Sequence, residues 1–540
     1  MGEQEFEQKA LTKAVETVLQ EQSNGGQELR LATPGGRFQV RWDEGGSATA
    51  LGQLPFFAEY LEVTGLFARW VAGCPMSYTS PNAPEVVDVL GTWLLSILDG
   101  QRRYAHVAGL RGDAVAPRIL GMNKIVSDES LRRALAHLAP SPLAGYREEE
   151  RARQLAQSTS WMERALSEST REALRTPWVL DVDSTVKPLY GHQVGAEISY
   201  NPRKPGRPSH VLHTYWIGNL RLVLEVEVQS GKTQAGKHSL PRLRELLERL
   251  APGERPALVR ADNAFGNEGM MSALEALGQR YLFKLRQTAG VKRLIERQWS
   301  RGEWQEVGQG CAAVDAELKL SGWSCARRVV VVRRRIKDSL VATTAAPLLG
   351  QQQVLQFADK AEALKLWEYA VLVTNTDYPL AAIGQLYRDR ADCENGFDEL
   401  KNQWGWGGYT THDLERCNLS ARAVALIYNW WSWYVRLAHP QARREAITSR
   451  PLLLSGVARL TEHAGQARLL LTLMHGAGAQ IKVMLANIRT GLEHVQATAP
   501  QLTALSRWTA LVRYIIGKII AAKPKNPAPL GLDPPWLAYL

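Results

Sequence analysis

The sequence predicts an α/β protein: a mixed five-stranded sheet with helices, carrying a strand-rich insertion and flanked by helical N- and C-terminal domains. Three observations predict it. Between Trp178 and Val228 three runs are rich in β-branched and aromatic residues. From Leu240 to Leu285 amphipathic helical patterns alternate with short apolar runs. On both sides of residues 177–410 the apolar spacing is helical.

The core elements follow in order. Trp178–Asp183 reads as the first strand, and Val211–Ile217 and Leu220–Val228 as the second and third. Then come an amphipathic helix at Leu240–Leu250, a strand at Ala257–Ala261, a helix near Glu268–Leu277 and a strand at Arg280–Leu285. Three strands, helix, strand, helix, strand is the ribonuclease-H-like arrangement. It places Asp183 at the end of the first strand and Asp262 just past the fourth, so that two acids converge at neighbouring strand ends. This first part of the core spans 177–290. A strand-rich insertion at 291–374 follows, with runs at Arg328–Arg335 and Tyr369–Thr374. The second part of the core, 375–410, holds a strong helix from Leu386 to Trp404.

The flanks are helical in pattern. Residues 1–145 form an N-terminal region with a polar, acidic, periodic start from Met1 to Gln27. Val115–Leu138 reads as a helix stopped at Gly121, a short turn, a Ser127 cap and a second helix from Asp128. That pattern fits a helix-turn-helix with Arg132 and Arg133 outermost, and equally an ordinary helical hairpin with solvated arginines. After the Pro-containing stretch Ala139–Pro142, residues 146–176 form a helical lead-in. Residues 411–540 read as a helical domain from Asn418 to Lys518 with an extended, Pro-rich Lys523–Pro535.

Composition narrows the function classes. Lys and Arg number 65 against 54 Asp and Glu, a net charge of +11, which favours a polyanionic partner because counterion release drives binding to phosphates. Five cysteines without a C-x-x-C pair fit neither a disulfide framework nor a zinc cluster. Met1–Gln27 lacks the basic start and apolar stretch of a secretory signal. The longest apolar run, Ala423–Val435, contains Asn429 and Ser432 and falls short of the roughly 20 residues a membrane span needs. We therefore expect a cytoplasmic protein with no membrane partner and no small-molecule substrate.

Chemistry concentrates on the Leu386–Trp404 helix. Tyr387, Arg390, Glu394 and Lys401 stand at offsets that fall within about 60° of one another on a helical wheel. One face thus carries a carboxylate able to hold a divalent metal, with a guanidinium fork and an ammonium able to grip phosphates. An exposed helix with ordinary i,i+4 charges is the plainer explanation.

The spacing Tyr-x-x-Arg-x-x-x-Glu, with Lys seven residues later, resembles the signature of one superfamily of bacterial insertion-sequence DDE transposases, IS-four-like and nearest the IS-thirteen-eighty type. Asp181–Ala196 resembles that family's first-Asp segment, Tyr200–Ser209 the loop after its first strand, and Arg260–Phe265 its second-Asp segment. The resemblance covers roughly Trp178 to Trp406. It implies a DNA transposase that binds terminal inverted repeats and cleaves and transfers strands, with excision through a hairpin on the transposon end. The implied acids are Asp183, Asp262 and Glu394, with Asp181 as the alternative first acid because it projects from the same strand face. Three carboxylates can hold two Mg²⁺ ions, or Mn²⁺, about 4 Å apart for in-line displacement at phosphorus.

The same resemblance implies that Tyr387, Arg390 and Lys401 steady the terminal phosphates. It also implies that a tryptophan of the insertion, Trp299, Trp304 or Trp323, stacks on a flipped base, although the plainer role of each is as a core residue of the insertion. Arg203, Lys204 and Arg207, Arg132 and Arg133, and the basic run from Arg327 to Lys337 are candidate backbone contacts. The implied partners are double-stranded transposon-end and target DNA, bound by a homodimer at the bacterial nucleoid. Two other readings compete: another ribonuclease-H-like nuclease, or a catalytically idle DNA-binding descendant of a transposase.

Overall fold

The computed structural model describes residues 29–41, 43, 46–78, 80–142, 145–199, 201, 204–233, 235–335, 367–408, 411–472, 476–498 and 501–522. The readings at Met1–Gln27, Arg203, Lys337 and Lys523–Pro535 fall outside them. The described residues open with a hairpin, β1 (Leu29–Thr33) and β2 (Gly36–Val40), and a short β3 (Ser47–Thr49). Helices α1 (Leu54–Thr64), α2 (Leu66–Ala72), α3 (Val86–Leu98), α4 (Val107–Leu110), α5 (Val115–Ile119), α6 (Asp128–Leu138) and α7 (Glu148–Thr170) follow. The Ser127 hydroxyl caps α6 by accepting from the Ser130 amide at 3.1 Å, and Gly121 takes φ +67 where α5 has ended. The helix, turn, helix pattern is therefore present, but α5 has only five residues, little more than one turn.

From β4 (Val179–Pro188) the chain builds one ten-stranded sheet. Its members are β5 (Glu197–Ile198), β6 (Pro208–Ile217), β7 (Leu222–Ser230), β8 (Leu258–Ala261), β9 (Tyr281–Lys284), β10 (Gln305–Glu306), β11 (Cys311–Leu318), β12 (Arg327–Arg335) and β13 (Trp367–Thr374). Helices α8 (Ala235–Arg249), α9 (Glu268–Ala276) and α10 (Ala289–Arg301) lie between its strands in sequence. Within it the order β7-β6-β4-β8-β9 holds, with β4, β8 and β9 parallel and β6 and β7 antiparallel.

The expectation of five strands is corrected. β13 pairs antiparallel with β9, Leu372 opposite Lys284, so the strands expected as an insertion at 291–374 extend the same sheet, and that segment begins with a helix. A second correction concerns β4, which continues five residues past Asp183, although its parallel pairing with β8 ends at Val182 opposite Ala261.

Alternation along β4 divides the sheet's faces. Val179 packs with Leu258, Leu282 and Leu372 against α11 (Leu380–Asp389), through Ala382, Ile383 and Leu386. Leu180 and Val182, pointing the other way, belong to the main core with Leu243 and Leu247 of α8 and Met270, Met271 and Leu274 of α9. Asp181 and Asp183 thus face the α11 side. α12 (Ala391–Gln403) follows α11 directly, so the expected Leu386–Trp404 helix begins earlier and is divided at Arg390.

α13 (Leu414–Ala438) holds the run Ala423–Val435 and is buried on every side. Its Asn429 accepts from the Val223 amide at 2.9 Å and donates to the Val223 carbonyl at 2.8 Å, giving the β7 edge the partners another strand would supply. Trp430, Trp431 and Trp433 fill the space between α13 and the N-terminal helices, with Trp70 and Trp161 stacked at 5.5 Å beside Trp430. α14 (Ala446–Leu453), β14 (Ala458–His463), β15 (Gln466–Leu471), α15 (Gly478–Thr498) and α16 (Ala504–Ala521) complete the described elements.

The flanks are therefore not purely helical. β3 pairs with β14, joining the two ends of the chain in a three-stranded sheet. No described helix is long and apolar enough to cross a membrane.

Candidate active site

The register of β4 and β8 sets the site. Asp181 lies opposite Arg260 of β8, and the next same-face residue, Asp183, lies beside the point where β8 gives way to the turn that begins at Asp262. The Asp262 carboxylate accepts from the Ala264 amide at 2.9 Å and its carbonyl from the Phe265 amide at 3.2 Å, a side-chain-braced turn that fixes the residue.

Asp183 accepts from the Ser184 amide at 2.7 Å and from Arg390 Nη2 at 2.6 Å. Burial pushes its carboxyl up to about 7. The Arg390 charge opposes that rise, and the nearby Asp262 and Asp181 carboxylates add to it. Burial also works against the Arg390 guanidinium, but Asp183 together with Cys393, Asp181 and Asp262 more than offsets it and keeps Arg390 above its ordinary value.

Asp181 is held differently. Arg260 Nε and Nη2 donate to its two oxygens at 2.7 Å each, and both side chains are buried. Gly218 leaves the room for this pair, since a Cβ there would overlap the Asp181 carboxylate. Arg260 Nη1 donates to the Leu386 carbonyl at 2.7 Å, tying β4, β8 and α11 into one rigid joint. Asp181 is thus fully engaged by its neighbour, whereas Asp183 is the acid at the open end of the pair.

Glu394 stands one turn along α12 from Arg390, its Oε1 3.9 Å from Nη1, with 71% of its side chain exposed. Among the described residues no three His, Cys, Asp or Glu side chains gather closely enough to hold a metal ion. Asp183 and Asp262 are brought together, and Glu394 stands at the rim beside the arginine. The signature face does lie along β4: where Arg390 meets Asp183, Lys401 donates to the Thr185 hydroxyl and, at 3.1 Å, to the Val186 carbonyl. Tyr387 is partly buried, with Lys284 Nζ 5.9 Å from its ring centre.

The other expected contacts are dispersed. Arg132 and Arg133 are exposed on α6, both near Glu129, at 3.7 and 2.9 Å. Lys204 and Arg207 flank the exposed Tyr190 ring at 4.9 and 4.7 Å. Much of the basic run at β12 is internally neutralised. Arg327 is buried against Glu268 and Glu275, Arg328 pairs with Asp315 at 2.7 Å, and Arg334 with Glu368 at 3.0 Å.

Of the tryptophans, Trp323 is buried, Trp299 is packed against the core, and Trp304 lies 4.0 Å from the Arg333 guanidinium, which also meets Trp367 at 4.5 Å. The sequence reading missed Arg260. Its signal was position: two residues before Asp262 on a parallel strand, it must fall beside an acid of β4.

The comparisons with known proteins extend these observations. The chain matches the family model described as transposase DDE domain group 1 over residues 43–491. No curated protein matches it. Among solved structures, the piggyBac transposase synaptic complex with hairpin DNA is similar at TM-score 0.37 and 11% identity, with 89% of each chain covered. Because the family match takes in most of the sequence, the site's strands and the Arg390 helices included, the chain belongs to the transposase DDE domain group 1 family and is a DDE transposase.

Proposed function

We propose that Asp183, Asp262 and Glu394 are the acids with which this transposase cleaves and joins DNA, in a ribonuclease-H-like core and with divalent metal, Mg²⁺ or Mn²⁺. The observation that carries the reading is the nearness of Asp183 to Asp262, each just past the last parallel β4–β8 pair, beside the Arg390–Glu394 turn of the helix. The strand order β7-β6-β4-β8-β9 supports the ribonuclease-H-like description, since it follows the sequential order three, two, one, four, five of that arrangement.

The donor set fits a hard cation. A carboxylate whose proton affinity is raised by burial and by a neighbouring carboxylate, as at Asp183, gains most from a divalent ion, and oxygen ligands are what Mg²⁺ takes. Asp183 and Asp262 would hold it, with Glu394 closing from the rim; when bound, two such ions supply an activated oxygen nucleophile and a stabilised leaving oxygen.

The chain's own residues do the rest. Arg390 orients Asp183 and presents a fork suited to a phosphate; Lys401 places an ammonium further along the same groove wall. The Asp181–Arg260 pair ties β4 to β8 and, through the Leu386 carbonyl, to α11 beside these acids.

We extend the reading to terminal-repeat ends and target DNA as substrates, a homodimer that pairs two ends, and an IS-four-like route through a hairpin end steadied by Tyr387, Arg390 and Lys401. A cytoplasmic, nucleoid-associated location belongs to the same reading. Incubating the protein with Mg²⁺ and a labelled duplex carrying the flanking terminal repeat tests it. Nicked, hairpin and joined products support the reading; DNA binding without any cleavage supports the idle-descendant alternative instead.

A further inference from the structure

Beyond the acids, α12 ends in a cavity of about 680 Å³ whose walls come from four distant parts of the chain. Lys401 and the Trp406–Gly408 loop form one side, Lys187 to Tyr190 the floor and rim, and Arg102, Arg103 and Arg132 of the N-terminal helices the other side. Five of the lining residues are cationic, Arg102, Arg103, Arg132, Lys187 and Lys401, and none is acidic.

The approach of the arginine turn is built into two glycines. Gly100 has φ +74, and a Cβ there would strike the Arg450 guanidinium and, at 2.9 Å, the Gln403 carbonyl at the end of α12. A Cβ at Gly408 would overlap the Arg102 backbone. Lys187 is spent on structure, donating to the Gly408 carbonyl at 2.7 Å, and Arg132 leans on Tyr104 with Glu129 nearby. Arg102 and Arg103 are exposed, and among the described residues neither has an ion-pair partner. Two solvated arginines are thereby clamped across the groove from Lys401.

We propose that this groove is a nucleic-acid backbone track, in which Arg102 and Arg103 grip phosphates of the strand that leaves the Asp183–Asp262 site past Lys401. The choice of DNA as occupant rests on the transposase reading; the cation-lined shape does not. Like-charged side chains gathered in a lining that holds no carboxylate favour a polyanion, and contacts of this type carry position rather than sequence. Tyr190, with Lys204 and Arg207 over its ring, continues the positive rim outward.

The test is fluorescence anisotropy of a short duplex of arbitrary sequence, in chelator, across about 50 to 200 mM salt. Each lost phosphate contact lowers the slope of log affinity against log salt by about 0.9. The Arg102→Gln/Arg103→Gln protein should therefore lose about 1.8 of slope, and Arg102→Lys/Arg103→Lys should keep it. A charge-matched pair on α15, Lys482→Gln/Arg489→Gln, should keep the wild-type slope. An unchanged slope in the first variant, or an equal loss in the α15 pair, overturns the track. A parallel Mg²⁺ cleavage assay separates the two ideas: cleavage with an unchanged slope removes the track and leaves the transposase reading, whereas a reduced slope without cleavage does the reverse.

Discussion

Replacing Arg260 by Met removes the cation that, among the described residues, is hydrogen-bonded to the buried Asp181 carboxylate and leaves that charge stranded. Stranding one member of a buried ion pair costs about 3–5 kcal/mol. The lost bond to the Leu386 carbonyl adds about 1 kcal/mol, for a total of about 4–6 kcal/mol. The double variant Asp181→Leu/Arg260→Met removes both charges and leaves only the Leu386 carbonyl unmet, so it should recover about 3 kcal/mol relative to Arg260→Met alone. Urea unfolding followed by tryptophan fluorescence measures this, since Trp216 lies opposite Asp181 on β6. The double variant should also still cleave DNA if, as proposed, Asp183 and not Asp181 is the first catalytic acid. An Arg260→Met protein within about 1 kcal/mol of wild type, or a double variant as unstable as the single, would contradict this view of the pair. A folded double variant without cleavage would move the first catalytic acid to Asp181.

Three further outcomes are expected. Ser127→Ala should cost about 1 kcal/mol in chemical denaturation, because the α6 amides lose their cap. Gly465→Ala should cost roughly 1–2 kcal/mol and loosen the β14–β15 hairpin in hydrogen exchange, since Gly465 sits at φ +74 beside Ala464 at φ +50; unchanged protection would show that the turn is not strained by a side chain. In thiol labelling of the folded protein Cys325, which is exposed, should react first, while Cys393, whose thiol burial pushes well above its usual range, should react only on unfolding; mass spectrometry of the labelled peptides distinguishes the order.

Much of the candidate site's geometry was legible because its determinants are local. The 3.6-residue period put Arg390, Glu394 and Lys401 on one face, and the short apolar runs ending at Asp183 and Asp262 read as strands. What was not legible depended on pairing between distant segments. Nothing in the run Trp367–Thr374 reveals that it joins β9, so the sheet read as five strands and an insertion. The hairpin at 458–471 carried a signal, alternating residues around Ala464-Gly465, but it was read within a helical stretch. β3 gained strand structure only by pairing with β14, more than 400 residues away, which no periodicity reports. Arg102 and Arg103 gave no motif; their place beside Lys401 follows from two glycines and the docking of α3 on the end of α12. The Glu394 side chain, turned outward beside Arg390, is a matter of rotamer and helix division that spacing alone does not fix.

The most direct measurement is Mg²⁺-dependent cleavage of a terminal-repeat duplex by wild type and by the folded variants Asp183→Asn, Asp262→Asn and Glu394→Gln, each repeated in chelator. Metal-dependent nicking by wild type, lost in all three variants while DNA binding persists, is the expected result. Nicking that survives these substitutions, or that continues in chelator, would place the chemistry elsewhere in the chain.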